Sequence, residues 1–251
     1  EFLRMEGETI VLPKGDFYAA KLPEISVNIM DEYYLDVGRI SMNIAPQTDN
    51  NLWLTTIALP ENMPLINDEG SIAGGISFKE QSFKGIWDAQ KEIFVDYKGH
   101  YKGLEVAGLT DFYFQKFSAE EIHFAQNLAP VAGNPTLYSG PVTFSGKNLR
   151  GENGLNADNM RLVEIAEIEA RTEYNEMPLF NAQKFQENML QYSGDPNTMA
   201  WNIPRQIFEM LDYMPKSGTS EMNARDIRIT YNPNNPEQRT RIMTDSVHFT
   251  S

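Results

Sequence analysis

Hydrophobic and polar positions alternate with a period of two along the first half of the chain. Ile25, Val27 and Ile29 are separated by Ser26 and Asn28, and Ile40, Met42 and Ile44 by Ser41 and Asn43. Further apolar stretches follow at Leu52–Ile57, Ile76–Phe78, Ile93–Tyr97 and Phe112–Phe117. Turn-forming clusters punctuate them: Asp31-Glu32, Asp49-Asn50-Asn51, Asn67-Asp68-Glu69-Gly70 and Lys98-Gly99-His100. Period two puts successive side chains on opposite faces of a strand, so the pattern predicts short antiparallel strands in a meander. No helical stretch of 10–15 residues separates them, which argues against parallel βαβ units.

The second half is mixed. Between Ala166 and Tyr174, apolar residues alternate with Glu167, Glu169, Arg171 and Glu173. Leu162, Ile165, Ala166 and Ala170 would also suit a helix; the strand is the preferred reading. Over 178–215 the period changes to three and four. Leu179, Ala182, Phe185, Met189 and Tyr192 form one stripe, and Ile203, Ile207, Met210, Leu211 and Met214 a second. Pro178 and Pro204 fit first turns, while Gly194 and Pro215 fit stops. Strands resume at 227–231 and 241–249. The predicted fold is mainly β: an antiparallel meander forming a curved open sheet or half-barrel, with a two-helix insert around 178–215. We expect one domain over 1–251, with a subdivision into a 1–130 meander and a 140–251 β-helix-helix-β part.

Composition narrows the function classes. The chain has 251 residues, of which 41% are apolar and 11% aromatic, enough for a sizeable core. Twenty-one basic residues against 35 acidic give a net charge of −14. No two basic residues are adjacent, so nucleic acid is not an expected partner. The absence of cysteine excludes disulfides, thiolate metal sites and thiol nucleophiles. The start at Glu1 and the strand-like ending at Phe249 suggest a piece of a longer protein.

Known chemical motifs do not fit the spacing of these residues. Gly70-Ser71-Ile72-Ala73-Gly74-Gly75 has neither the spacing of a phosphate or dinucleotide loop nor a following helix, and reads as a turn entering a strand. His100, His123 and His248 are isolated in sequence, so a zinc site would need long-range assembly, and no metal or cofactor is expected. His123, between Ile122 and Phe124, should point away from the apolar face. The carboxylates Glu120-Glu121 and Glu164/Glu167/Glu169 could serve a glycosidase but suit a solvated face better. Asn156-Ala157-Asp158-Asn159 offers oxygen ligands without the spacing of a calcium loop.

The aromatics are more informative. Phe112, Phe114 and Phe117, with Tyr113, put rings on both faces of one strand, and Trp53 and Trp87 sit in others. One aromatic face needs a cover beyond the sheet: the helices carrying Phe185 and Met210, a partner, or an apolar guest. Trp53, Trp87, Phe112, Phe114, Phe117, Phe185 and Met210 are therefore the candidate groove residues.

The run Gln81-Ser82-Phe83-Lys84-Gly85-Ile86-Trp87-Asp88, continuing through Phe94–Tyr97 and Gly103–Val106, together with Ile57-Ala58-Leu59-Pro60, resembles the AsmA-like and YdgA-like extracytoplasmic β proteins of Gram-negative bacteria. The resemblance is one of cadence over roughly 20–130 and 140–250. It implies an open sheet with an apolar concave face, a periplasmic or envelope location, lipid handling, and no catalytic residues. It also implies an N-terminal anchor helix that this sequence lacks, as a soluble part of a longer chain would. The leading expectation is a non-enzymatic envelope module that binds or shields a lipid or acyl chain in a β groove. A structural or adhesive module pairing with neighbouring β domains is the alternative, and a carbohydrate-active enzyme using paired carboxylates the third.

Overall fold

A computed structural model describes residues 3–29, 33–48, 51–108, 115–153, 160–178, 217–235 and 238–250. Every element among them is a strand, and all pairing is antiparallel. The predicted helices around 178–215 fall on 179–216, outside the described residues, as does the Asn156–Asn159 turn.

The topology is a meander in which, with interrupted strands taken as one, each strand lies beside its neighbour in sequence. β1 (Leu3–Glu6) and β2 (Ile10–Lys14) together line one side of β3 (Phe17–Ile29). β4 (Tyr33–Pro46) pairs first with β6 (Asn62–Asn67) and then with β5 (Leu52–Ala58), which are two halves of one long interrupted strand. β7 (Ile72–Ser77) and β8 (Glu80–Asp88) are likewise two halves of the next, and both bond to β9 (Ile93–Ala107). There follow β10 (Lys116–Asn127) with its short continuation β11 (Ala129–Val131), then β12 (Asn134–Asn153), β13 (Arg161–Pro178), β14 (Ser217–Tyr231) and β15 (Thr240–Thr250). β1 and β15 stand at opposite ends of this path, so the sheet is open rather than closed into a barrel. The meander and the strand over 166–174 are as the alternation predicts.

Two expectations need correction. The strands are not short: β12 runs for 20 residues and β13 for 18. Bulges and interruptions, such as the register shift between Ile86 and Trp87, let a long strand bend without ending. Further, Lys98-Gly99-His100 is not a turn but the middle of β9. Gly99 sits there because a neighbouring ring occupies its side-chain space. A Cβ at Gly99 would lie 2.1 Å from Cζ of Phe124. Asn67–Gly70 is a true turn, closed by the Gly70 amide donating to the Asn67 carbonyl at 2.9 Å.

Among the described elements, substantial packing occurs only between hydrogen-bonded neighbours. The described sheet is thus a single layer, and its fully enclosed core is small. Tyr138 and Leu65 are the largest side chains wholly shielded from solvent. The Tyr138 hydroxyl accepts a hydrogen bond from Lys91, whose ammonium also pairs with Asp88 at 3.2 Å and lies 5.1 Å from the Tyr138 ring centre. Asp88 in turn accepts from the amides of Gln90 and Lys91, fixing the turn between β8 and β9.

Candidate functional site

Register assigns each side chain to a face, because directly opposed residues share one. Across β8 to β15 the apolar face carries the row Phe83, Gly99, Phe124, Phe144, Ala170, Met222, Phe249. Beside it runs a second row, Tyr101, Ile122, Gly146, Ile168, Ala224, Val247. The first row crosses seven strands; six spacings of about 4.8 Å make it ~29 Å long. Its β8 end is packed with rings. Phe78, Tyr101, Phe124, Tyr97, Phe83, Phe94 and Trp87 form a connected chain with centroids 5.0–6.4 Å apart. Burial among these rings raises the Tyr97 and Tyr101 hydroxyl pKa values. Gln126, opposite Tyr97, is a polar side chain in this setting; its amide donates at 2.8 Å to the Phe94 carbonyl, beside the β8–β9 bulge. Toward β15 the face opens to solvent: Phe144 and Met222 are each 37% exposed and Phe249 54%.

The opposite face is polar, and its residues are matched across strands. One row reads Glu80, Lys102, Glu121, Lys147, Glu167, Arg225, alternating in sign over six strands. Three of its pairs are in contact: Lys102–Glu80 at 3.3 Å, Lys147–Glu121 at 3.3 Å and Arg225–Glu167 at 3.2 Å. Lys147 chiefly holds the Glu121 carboxyl below its usual pKa. Like charges directly opposed would destabilise the sheet, so this alternation also fixes register. The next residue along three of these strands, Gly103, Asn148 and Asp226, takes a left-handed conformation with φ of 58°, 48° and 51°.

The neighbouring polar row reads Ser82, His100, His123, Ser145, Glu169, Asn223, His248. Its residues from His123 to Asn223 line an open cavity of about 510 Å³, together with Lys98, Ala125, Thr143 and Arg171. The His100 and His123 rings are stacked at 4.2 Å, 7° from parallel.

Of the groove candidates, Trp53 and Trp87 are brought together as a directly opposed pair on β5 and β8, and Trp87 joins the ring chain through Phe94. Phe117 lies near the other end of β10, opposite Val106 and Gly151. Phe112, Phe114, Phe185 and Met210 lie outside the described residues. The sequence reading missed Phe83, Phe94, Tyr97, Tyr101, Phe124 and Phe144. Their signal was present in the alternation Tyr97-Lys98-Gly99-His100-Tyr101, once Gly99 is read as a strand position. The acidic candidates for a glycosidase pair instead with polar or basic neighbours: Glu120 accepts from Asn148, and Glu164 lies 3.7 Å from Arg150. His123 points away from Ile122 and Phe124, as expected. No protein family, curated protein or solved structure matches this chain.

Proposed function

We propose that the protein is a non-enzymatic module of the bacterial envelope that binds an acyl chain along the apolar face of its sheet. The observation that carries this reading is the row from Phe83 to Phe249, apolar at every position and closed by aromatics at one end. A one-layer sheet exposes such a row to water unless something covers it, and an extended hydrocarbon matches its lack of polar groups. The cadence around Gln81–Asp88 and the absence of cysteine support an extracytoplasmic setting. The experiment is titration of the purified protein with a fluorescent fatty acid, alongside Phe144→Asp and Met222→Asp variants. Both positions are part-exposed, so a charge there disrupts the row with little cost to folding. Saturable binding weakened at least about tenfold by either substitution is expected, from the cost of desolvating a carboxylate. Wild-type protein that binds no fatty acid would overturn the reading.

A second reading, a structural module extended through its edges, is favoured by the edge strands. Every residue of β1, β2 and β15 is exposed, with Met5, Val11, Leu12, Ile242 and Met243 among them. Unpaired apolar edges are templates for further strands.

A further inference from the structure

We propose that His100, His123 and Glu121 form a binding site for a zinc-class divalent cation on the polar face of the sheet. Glu121 and His123 are two apart on β10, which places them side by side on one face, and His100 opposes His123 directly on β9. Two ligands at i and i+2 on one strand and a third on its neighbour make a triangle of short side. One ligand atom from each of the three residues lies within 4.8 Å of the others. Imidazole nitrogens with one carboxylate oxygen are a donor set that zinc takes readily, and three protein ligands leave room for water.

A second observation points the same way. Nε2 of His100 is buried and has no hydrogen-bond partner. Such a group is rare in folded proteins and calls for an explanation; a metal ion beside it supplies the missing partner. Of the three ligands, His123 lines the 510 Å³ cavity, which gives water access to the site from that side.

The stacked rings are parallel, whereas a metal accepts each imidazole edge-on through its in-plane lone pair. Binding therefore requires one ring to turn. His123 is the ring free to do so, with a side chain 49% exposed. Its contact with Glu121 at 3.7 Å keeps it next to the carboxylate during that turn. Lys147 on Glu121 competes with the ion, and Lys102 opposes Glu121 from β9, so both lysines weaken binding.

The test is titration of the chelator-treated full chain with zinc by calorimetry, and with cobalt(II) by visible absorption. One equivalent should bind, with cobalt bands of low coordination number. His100→Gln and His123→Gln should each weaken binding at least about tenfold. Lys147→Met should tighten it, and His248→Gln, in the same row but remote, should leave it unchanged. Proton resonances of the two rings should lose their mutual stacking shift on adding zinc. Melting temperatures of the variants near that of the parent would show that the fold is kept. The inference is overturned if no zinc binds, or if the doubly substituted His100→Gln/His123→Gln protein binds as tightly as the parent.

Discussion

Gly99→Ala sets two effects of opposite sign against each other. Gly99 has no left-handed φ, so alanine is conformationally acceptable there. By strand propensity alone, replacing a mid-strand glycine should stabilise the protein by about 0.5–1 kcal/mol. Packing predicts the reverse. The new Cβ would fall 2.1, 2.5 and 2.7 Å from three atoms of the Phe124 ring, against an ordinary contact of roughly 3.5–4.0 Å. The ring must retreat by about 1.5 Å, away from Tyr101 at 5.8 Å, Tyr97 at 6.0 Å and Phe83 at 6.3 Å. Aromatic pairs are worth ~0.5–1.5 kcal/mol each and overpacking costs ~1–3 kcal/mol. After subtracting the propensity gain, the net loss is about 1–3 kcal/mol. For a chain of this size that lowers the melting temperature by roughly 3–10 °C. Thermal unfolding followed by circular dichroism reads it directly. In a Phe124→Leu background the same Gly99→Ala change should be neutral or stabilising, since the obstructing ring is gone. A parent-background Gly99→Ala variant that melts at or above the parent temperature would refute the account of this face.

Other expectations rest on separate features. Tyr138→Ala, which empties the most enclosed aromatic site, should cost about 3–5 kcal/mol in urea unfolding, and Tyr138→Phe about 1 kcal/mol through the lost Lys91 hydrogen bond. Burial, then the adjacent His123, lower the His100 pKa from 6.5. The unfolded state therefore takes up this proton first, and stability should fall as pH drops below about 6.5 until the folded ring also protonates. His100→Gln should remove that slope, and an equal pH dependence in variant and parent would contradict it. Asp226→Gly should stabilise modestly, because glycine holds a left-handed φ without penalty, whereas Asp226→Val should cost at least about 1 kcal/mol; chemical denaturation distinguishes them. Val247→Lys on the outer strand should reduce any concentration-dependent association seen by sedimentation, and an unchanged distribution would remove the edge from consideration.

The elements with clean alternation, such as Ile25–Ile29 and Ile40–Ile44, were legible because burial on one face writes itself into period two. Lys98-Gly99-His100 was not, because its glycine and polar residues carry the composition of a turn. Only the position of Phe124 on the neighbouring strand explains the glycine. The histidine pair was invisible for a related reason. His100 and His123 are 23 positions apart, and they meet because β9 and β10 pair in a register that no local pattern states. The sign-alternating row from Glu80 to Arg225 is likewise scattered over six strands, where each residue alone looks like an ordinary surface charge.

Because each strand of the meander, with interrupted strands taken as one, pairs with its neighbour, stability should be close to a sum of adjacent-strand terms. Assembly can begin at a hairpin such as β9–β10 and spread outward, whereas pairing of β13 with β14 must bring together residues as far apart in sequence as Arg161 and Tyr231. The same arithmetic bears on evolutionary change. A hairpin inserted or deleted between two strands leaves every other pairing intact, so the length of the apolar row can be adjusted two strands at a time without redesigning the rest.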